Sequence, residues 1–353
     1  MKTKKILAFL LAAVMTLTLF AGCGAAESSS AAETASASES ASESSEAESA
    51  SASEPAVKTD VNIAVLKGPT GMGAAYLMEK NSTGEAANNY NFTIASAPDE
   101  ITAGLVSGEL DIAALPTNAI AALYKKTNGG VQALAVNTLG VLYILENGDT
   151  IKSVADLEGK TILASGKGST AEYVLTYILS QNGLTDGQNV TVEWASEHAE
   201  AATKAAAGDY SIVMLPEPFV TSLQKQAPDF RVALNLTDEW ENAAGSTLTM
   251  GGIAVRKEFA DANPEAVAAF VKEYAESADY ANSSVDEAAE LCGKYGIIDA
   301  AVAKEAIPRA NIVCLTGDDM RNALMDFYSV LMTFAPDSIG GALPGEDFWY
   351  YAQ

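Results

Sequence analysis

Sequence patterns associated with catalysis are scarce in this 353-residue chain. It contains a single histidine, His198, and three cysteines, and it lacks HExxH, GxSxG and the Cys/His spacings typical of a metal site. We therefore predict no catalytic residue, no metal and no cofactor, and we do not expect an enzyme. A reaction that uses a pair of carboxylates is the enzymatic alternative that the sequence leaves open.

Basic residues are also few. Lysine and arginine total 21 against 46 aspartates and glutamates, which gives a formal net charge of −25 at pH 7. Binding to nucleic acid or to an anionic membrane surface needs a basic patch that neutralises phosphates. The charge balance therefore argues against both as partners.

The N-terminal apolar run, residues 6–20, falls short of the about 20 apolar residues that a transmembrane helix needs. Lysines precede the run and a pair of small residues follows it, which is the layout of an export signal. Cys23 comes next, and this arrangement is similar to a bacterial lipobox. We predict that residues 1–22 are a lipoprotein signal peptide. Acylated Cys23 would then anchor the protein on the extracellular face of the cytoplasmic membrane.

Aromatic residues are absent from the segment that follows. Residues 23–58 consist almost wholly of serine, alanine and glutamate, so they cannot form a core and should act as a disordered tether. As a flexible coil, such a tether reaches roughly 30–35 Å. The two remaining cysteines, Cys292 and Cys314, form either a disulfide or two buried thiols, and the sequence does not decide between them.

A repeat with an offset of 100 residues is the most informative feature of the chain. Residues 105–118 (LVSGELDIAALPTN) align with residues 205–218 (AAAGDYSIVMLPEP). Each copy has the pattern of a helix end closed by glycine, a short apolar strand and a proline that ends the strand. Upstream of each copy, a strand, a glycine-containing loop, a helix and a second strand occur in the same order. Such alternation predicts parallel sheets with right-handed crossovers.

The repeat predicts an α/β fold of two similar lobes, with the second lobe inserted into the first. Lobe 1 is expected to span residues 59–145 and 248–353, and lobe 2 is expected to span residues 146–247. Strand-like residues at 139–145 and 247–255 would carry the chain between the lobes. Two such crossover segments would form a hinge.

The fold class also predicts a ligand site. In open α/β sheets, ligands bind at the carboxyl ends of strands, where loops and helix N-termini offer backbone donors. Applied mainly to the first and third strands of each copy, this rule places a site between the lobes. The predicted ligand-binding residues are Pro69, Thr70, Gly71, Met72, Pro116, Thr117, Asn118 and Asn137 in lobe 1, and Gly168, Ser169, Thr170, Glu217 and Pro218 in lobe 2.

Several candidates also have an ordinary structural interpretation. The hydroxyl residues among them stand at or near helix starts, where a hydroxyl either caps the helix or contacts a ligand. Glu217, held between two prolines, is either a ligand contact or an exposed turn residue. Trp194 and Trp240 could stack on a ligand, although burial in the core is the usual role of such side chains. The loop SGKGST lacks the GxxxxGK[ST] order of a nucleotide-binding loop.

Together these features resemble the solute-binding proteins of ABC importers with the type II periplasmic-binding fold, in the branch of sulfonate, nitrate and thiamine-pyrimidine binders. The resemblance rests on the lipobox and tether, on GELDIA at residues 108–113, on the GKGST loop after VADLEGKTI, and on LPEP at residues 215–218. It implies a protein that captures a small polar or anionic molecule between its lobes. Delivery to a membrane permease and its ATPase would follow. We expect a monomer.

Two alternatives remain open. The chain could be a ligand-sensing or adhesive surface lipoprotein that uses the same cleft, or an enzyme related to the pyrimidine synthases or menaquinone-pathway proteins of the same fold. The export signal argues against the menaquinone-pathway relatives, and the scarcity of histidine argues against the synthase. The sequence leaves undecided the identity of the ligand and whether the lobes are open or closed.

Overall fold

A computed structural model describes residues 58–351. The predicted signal peptide, Cys23 and all but the last residue of the predicted tether lie outside this range. Within it, none of the helices is both long and apolar enough to cross a membrane.

Strands and helices alternate through most of the described chain. The strands are β1 (Asp60–Leu66), β2 (Asn89–Ala95), β3 (Ile112–Pro116), β4 (Val131–Leu139), β5 (Leu142–Asn147), β6 (Thr161–Ser165), β7 (Thr191–Ala195), β8 (Ile212–Pro216), β9 (Phe230–Asn235), β10 (Thr249–Arg256) and β11 (Ile312–Leu315). The helices are α1 (Pro69–Ser82), α2 (Pro98–Ser107), α3 (Thr117–Lys126), α4 (Thr170–Gln181), α5 (His198–Ala206), α6 (Phe219–Gln226), α7 (Leu236–Ala244), α8 (Lys257–Ala262), α9 (Pro264–Ser283), α10 (Val285–Lys294), α11 (Ala300–Ala306) and α12 (Gly317–Phe334).

The strands form two sheets whose five equivalent strands follow the same order, and β11 adds a sixth strand at one edge of the first sheet. The first sheet runs β11-β4-β10-β3-β1-β2, and the second runs β7-β6-β8-β5-β9. In the first sheet β1 is parallel to β2 and β3, whereas β10 is antiparallel to its neighbours β3 and β4. In the second sheet β6 is parallel to β7 and β8, whereas β5 is antiparallel to β8 and β9. This confirms the predicted α/β fold of two similar lobes, with the second inserted in the first.

The chain passes between the sheets at two neighbouring points. The outward crossing follows Leu139, the last residue of β4. The return crossing ends at Thr249, the first residue of β10. Leu139 and Thr249 lie opposite each other where β4 pairs with β10. Gly140 lies in the outward crossing, where an added Cβ would stand 2.1 Å from Thr237 Oγ1, so a glycine is needed there.

The outward crossing lies earlier than the lobe boundary expected from the sequence. Strand β5 belongs wholly to the second sheet, so the change of sheet falls before residue 142 and not at 145/146. Residues 139–145 have a nearly continuous apolar pattern, and such a pattern does not reveal at which residue the chain leaves one sheet for the other.

The lobes also share part of their core. One cluster of buried side chains includes Leu115 of the first sheet, Ile162 of the second sheet, Trp240 of α7 and Phe327 of α12. The rings of Trp240 and Phe327 are 5.2 Å apart, and Tyr328 of α12 donates a hydrogen bond of 2.8 Å to the carbonyl oxygen of Thr117. Helix α12 therefore contacts both lobes.

Trp240 has the core role that the sequence left as one of two interpretations. Its side chain is fully buried and does not line the cavity described below. The two cysteines are both free: Cys292 is buried and Cys314 is partly buried. Of the two alternatives for this pair, the structure therefore has separate thiols and no disulfide.

Candidate functional site

A cavity of about 130 Å³ lies between the lobes at the carboxyl ends of their parallel strands. Both lobes contribute segments to its wall. These are residues 66–70, 96–98, 115–116, 138, 141–142 and 250–251 around the first sheet and the crossings, and residues 166, 169–171, 196–198, 216–217 and 219 around the second sheet.

Six helices begin at this cavity. The residues that precede α1 to α5 (Gly68, Ala97, Pro116, Ser169 and Glu197) line it, and so does the first residue of α6. The first N–H groups of a helix have no partner within the helix, and the helix dipole places partial positive charge there. The cavity therefore offers neutral hydrogen-bond donors to an acceptor-rich ligand.

Part of this donor capacity is already used. Glu172 of α4 accepts a hydrogen bond from the N–H of Gly168, and Glu200 of α5 accepts one from the N–H of Ser196. At α1 the preceding Gly68 provides no side-chain cap, and Pro69 has no N–H. Thr70 lines the cavity, and among the described residues no side chain caps this helix start, so the N–H of Thr70 remains for a ligand.

Six of the predicted ligand-binding residues line the cavity: Pro69, Thr70, Pro116, Ser169, Thr170 and Glu217. Two of their hydroxyls are bonded to their own loops. Thr70 Oγ1 accepts from the N–H of Leu66 at 3.1 Å, and Ser169 Oγ caps α4 by accepting from the N–H of Ala171 at 3.3 Å. These contacts fix the loops, and a ligand would compete for the same oxygens.

The other predicted residues lie behind or beside the wall: Gly71, Met72, Thr117, Asn118, Asn137, Gly168 and Pro218. Met72 is fully buried in α1. Asn137 donates to Tyr274 Oη at 3.1 Å, deep in lobe 1. Gly71 approaches the carbonyl oxygen of Leu66 so closely that an added Cβ would stand 2.7 Å from it.

Asn118 connects the lobes. Its Oδ1 accepts a hydrogen bond of 3.0 Å from Thr170 Oγ1, and its Nδ2 donates to the carbonyl oxygens of Gly168 and Ser338, each at 3.3 Å. Thr117 Oγ1 lies 3.3 Å from the same Thr170 hydroxyl. The lobes are thus bridged beside the cavity by polar contacts between α3 and the start of α4.

Glu217 connects the lobes on another side. Its carboxylate is fully buried, its Oε2 accepts from the N–H and the hydroxyl of Thr221, and its Oε1 lies 2.8 Å from Arg309 Nη2. No hydrogen bond of good geometry reaches Oε1, so the Arg309 contact is a charge contact. Burial raises the pKa of Glu217, and the Arg309 charge opposes that shift.

His198 is a cavity residue that the sequence reasoning did not select. It is the first residue of α5, its Nδ1 lies 2.6 Å from Ser165 Oγ, and its ring centroid lies 5.2 Å from that of Phe219. Burial lowers the pKa of His198 to about 4, so the imidazole is neutral at physiological pH. Its position in the sequence could have identified it, because His198 follows β7, the second strand of its repeat. The rule that ligands bind at the carboxyl ends of strands was applied mainly to the first and third strands.

Few charged side chains reach the cavity. Among the described residues that line it, Lys67 is the one lysine and is exposed, Glu197 is exposed, and no arginine is present. Leu66, Leu142, Phe219 and Met250 make part of the wall apolar.

Comparison with known proteins decides the class of this site. Residues 74–302 match the model of a family described as ABC transporter, phosphonate, periplasmic substrate-binding protein. The chain belongs to this family. It is therefore the extracytoplasmic substrate-binding component of an ABC transporter, as the sequence resemblance predicted.

Several solved structures share the fold of this chain. An ABC transporter protein from Parabacteroides distasonis has a TM-score of 0.70 and 22% identity, over 84% of this chain and all of that chain. The aliphatic sulphonate-binding protein SsuA of Escherichia coli has a TM-score of 0.65 and 17% identity, over 82% and 96% of the two chains. The nitrate-binding protein NrtA of Synechocystis has a TM-score of 0.56 and 14% identity, over 80% and 84%. No curated protein sequence matches the binding protein.

These structural likenesses establish the two-lobed fold alone, because all three identities are low. Neither the family match nor these neighbours support the sensor, adhesin or enzyme alternatives.

Proposed function

We propose that the binding protein captures a small molecule that carries an oxyanion group and a compact apolar part. The observation that supports this most directly is the convergence of helix N-termini on one cavity, because they can hold negative charge without a paired cation. The apolar wall residues would contact the rest of the ligand. The names of the matched family and of the sulphonate- and nitrate-binding neighbours all refer to oxyanions.

The ligand would be held by neutral donors. Arginine, the residue that recognises phosphate in a bidentate manner, does not line the described cavity, whereas the neutral imidazole of His198 does. Ser165 fixes one ring nitrogen, so the other nitrogen, Nε2, is available to the ligand. When Ser165 donates to Nδ1, Nε2 carries the proton and can donate to an oxyanion.

Replacement of His198 by alanine should weaken binding of the best oxyanion. Loss of one buried hydrogen-bond partner costs about 1–3 kcal/mol, or roughly five- to 150-fold in affinity. A thermal-shift screen of alkylphosphonates, alkylsulfonates and nitrate would select the ligand, and titration calorimetry would measure the dissociation constant. Thr203→Ala, an exposed change on the same helix, is the matched control and should leave the affinity unchanged.

The single histidine allows a second, spectroscopic readout. An anion beside the ring favours the charged imidazolium, so bound ligand should raise the pKa of His198 from about 4. Histidine-labelled protein gives one set of NMR signals to titrate. The proposal fails if no oxyanion raises the melting temperature of the wild-type protein, or if the bound ligand leaves both the His198→Ala affinity and the histidine titration unchanged.

The second part of the proposal is attachment to the membrane. We propose that Cys23 carries the lipid and that the segment behind it lets the lobes reach a permease and its ATPase. In the native host, Cys23→Ser should release the protein from the salt-washed membrane fraction. Ser29→Ala, a change in the same segment, should leave it there. Retention of the Cys23→Ser protein on washed membranes would rule out this anchor.

A further inference from the structure

The buried acid in the cavity wall has its counter-charge on the opposite lobe. Glu217 follows β8 in lobe 2 and stands at the start of α6. Arg309 belongs to a short 3-10 helix, Ile307–Arg309, that precedes β11 of the first sheet. The contact of 2.8 Å between Arg309 Nη2 and Glu217 Oε1 therefore exists only while the lobes are together.

Arg309 is the main group that compensates the negative charge of Glu217. Thr221 satisfies the other carboxylate oxygen, and its hydroxyl also accepts a hydrogen bond of 2.6 Å from Arg309 Nη2. Tyr143 and Glu305 also lie near this pair, and Lys225 already pairs with Glu305 at 2.6 Å. A fully buried carboxylate without a partner is costly, and a ligand cation would be the natural substitute.

Arg309 reaches Glu217 from outside the cavity. Glu217 lines the cavity and Arg309 does not, and the Arg309 side chain remains 40% exposed. The charge of the acid is thus cancelled from behind the wall, and the space in front of it stays free for the ligand.

We propose that Arg309 is a specificity-determining residue, which neutralises Glu217 on closure and so makes the cavity select oxyanions whose other end is uncharged. This inference rests on the proposed function. A ligand with an ammonium group at that end would find the acid already paired, and closure would bring the ammonium and the guanidinium towards each other. Like charges brought close together oppose binding.

The experiment compares matched probes that differ by one amino group. The pairs are propylphosphonate with 3-aminopropylphosphonate and propanesulfonate with 3-aminopropanesulfonate, measured by titration calorimetry. In the wild-type protein the uncharged member of each pair should bind more tightly. Arg309→Met keeps the length of the side chain and removes its charge, so the affinity ratio should shift about tenfold towards the amino compound.

Three further variants define the result. Glu217→Gln leaves the charge of Arg309 without its partner and should shift the affinity ratio further towards the uncharged compound. This variant tests the role of Arg309 even if Arg309→Met does not fold. Arg309→Lys keeps the charge and should keep the wild-type preference. Arg321→Met removes an arginine that pairs with the exposed Glu346 and should change nothing.

The outcomes separate the two proposals. If wild-type protein binds neither member of either pair, this inference falls, and the proposed function falls with it only if the thermal-shift screen also finds no stabilising oxyanion. If it binds them but the ratio is the same in Arg309→Met and Glu217→Gln, or the wild-type protein prefers the amino compounds, only the role of Arg309 is overturned. Opposite shifts in the two variants would support it, because a purely structural ion pair would weaken both members of a pair equally.

Discussion

Replacement of Trp240 by alanine should lower the free energy of unfolding by about 3–5 kcal/mol, the usual cost of truncating a large buried aromatic side chain. Its side chain is fully buried, and its ring lies 5.1 Å from that of Tyr177 and 5.2 Å from that of Phe327. Its Nε1 donates a hydrogen bond of 3.2 Å to Ser246. The substitution would leave a cavity between α7 and α12 that these neighbours cannot fill without moving.

Urea unfolding of the Trp240→Ala protein, followed by circular dichroism, would measure the loss. The control is Trp194→Ala, because Trp194 is only partly buried and should cost less. The shared core cluster predicts that both lobes lose stability together in a single transition. A loss below about 1 kcal/mol would mean that the site can collapse or that Trp240 carries little of the packing.

Replacement of Asn118 by alanine should open the lobes and weaken ligand binding although the side chain does not line the cavity. The change removes the hydrogen bonds that join Asn118 to Thr170 and Gly168 across the lobes, and it leaves the Thr170 hydroxyl without that acceptor. A lost buried partner costs about 1–3 kcal/mol. Only the closed form surrounds the ligand, so a less stable closed form binds the ligand more weakly. At about 1.4 kcal/mol per tenfold change, the dissociation constant should rise roughly five- to 150-fold.

Small-angle scattering of the ligand-free protein would test the opening, and calorimetry would test the affinity. Asn91→Ala is the matched control, since Asn91 is exposed on β2 and bonds only to Asn62 within its own sheet. The Asn118→Ala protein should have a larger radius of gyration than the control. An unchanged radius together with an unchanged dissociation constant would show that the Asn118 contacts do not hold the lobes.

Much of the fold could be predicted because the sequence contains a repeat whose two copies can be compared with each other. The repeat placed the β3 and β8 strands in equivalent positions. The helical patterns of residues 285–295 and 300–307 predict α10 and α11 to within about one residue at each end. The helical pattern that begins at Pro264 predicts an end at Ser277, but α9 continues to Ser283 because no glycine or proline interrupts the chain there. The elements that were not predicted are α3, α6, α7, α8, β9 and β11; each is ten residues or shorter and lies within a few residues of another element.

The site was harder to predict because its residues are close in space and far apart in sequence. The rule for strand ends predicted Thr70, Ser169 and Glu217, which do line the cavity. Arg309 lies 92 positions after Glu217, and no local pattern connects them. Asn118 was predicted from its position after β3, but two of its three side-chain hydrogen bonds go to the other lobe. A single sequence does not report which polar groups meet across a cleft.

The insertion of lobe 2 has a consequence for the synthesis of the protein. Strand β10 lies between β3 and β4 in the first sheet, although β3 and β4 precede lobe 2 in the chain and β10 follows it. A chain made from its N-terminus therefore holds β3 and β4 without the strand between them until the whole of lobe 2 has left the ribosome. The strands of the second sheet, β5 to β9, are contiguous and can pair as soon as they emerge. Lobe 2 is thus the first lobe whose strands have all been made, and the first sheet is complete only after β10 and then β11 have followed it.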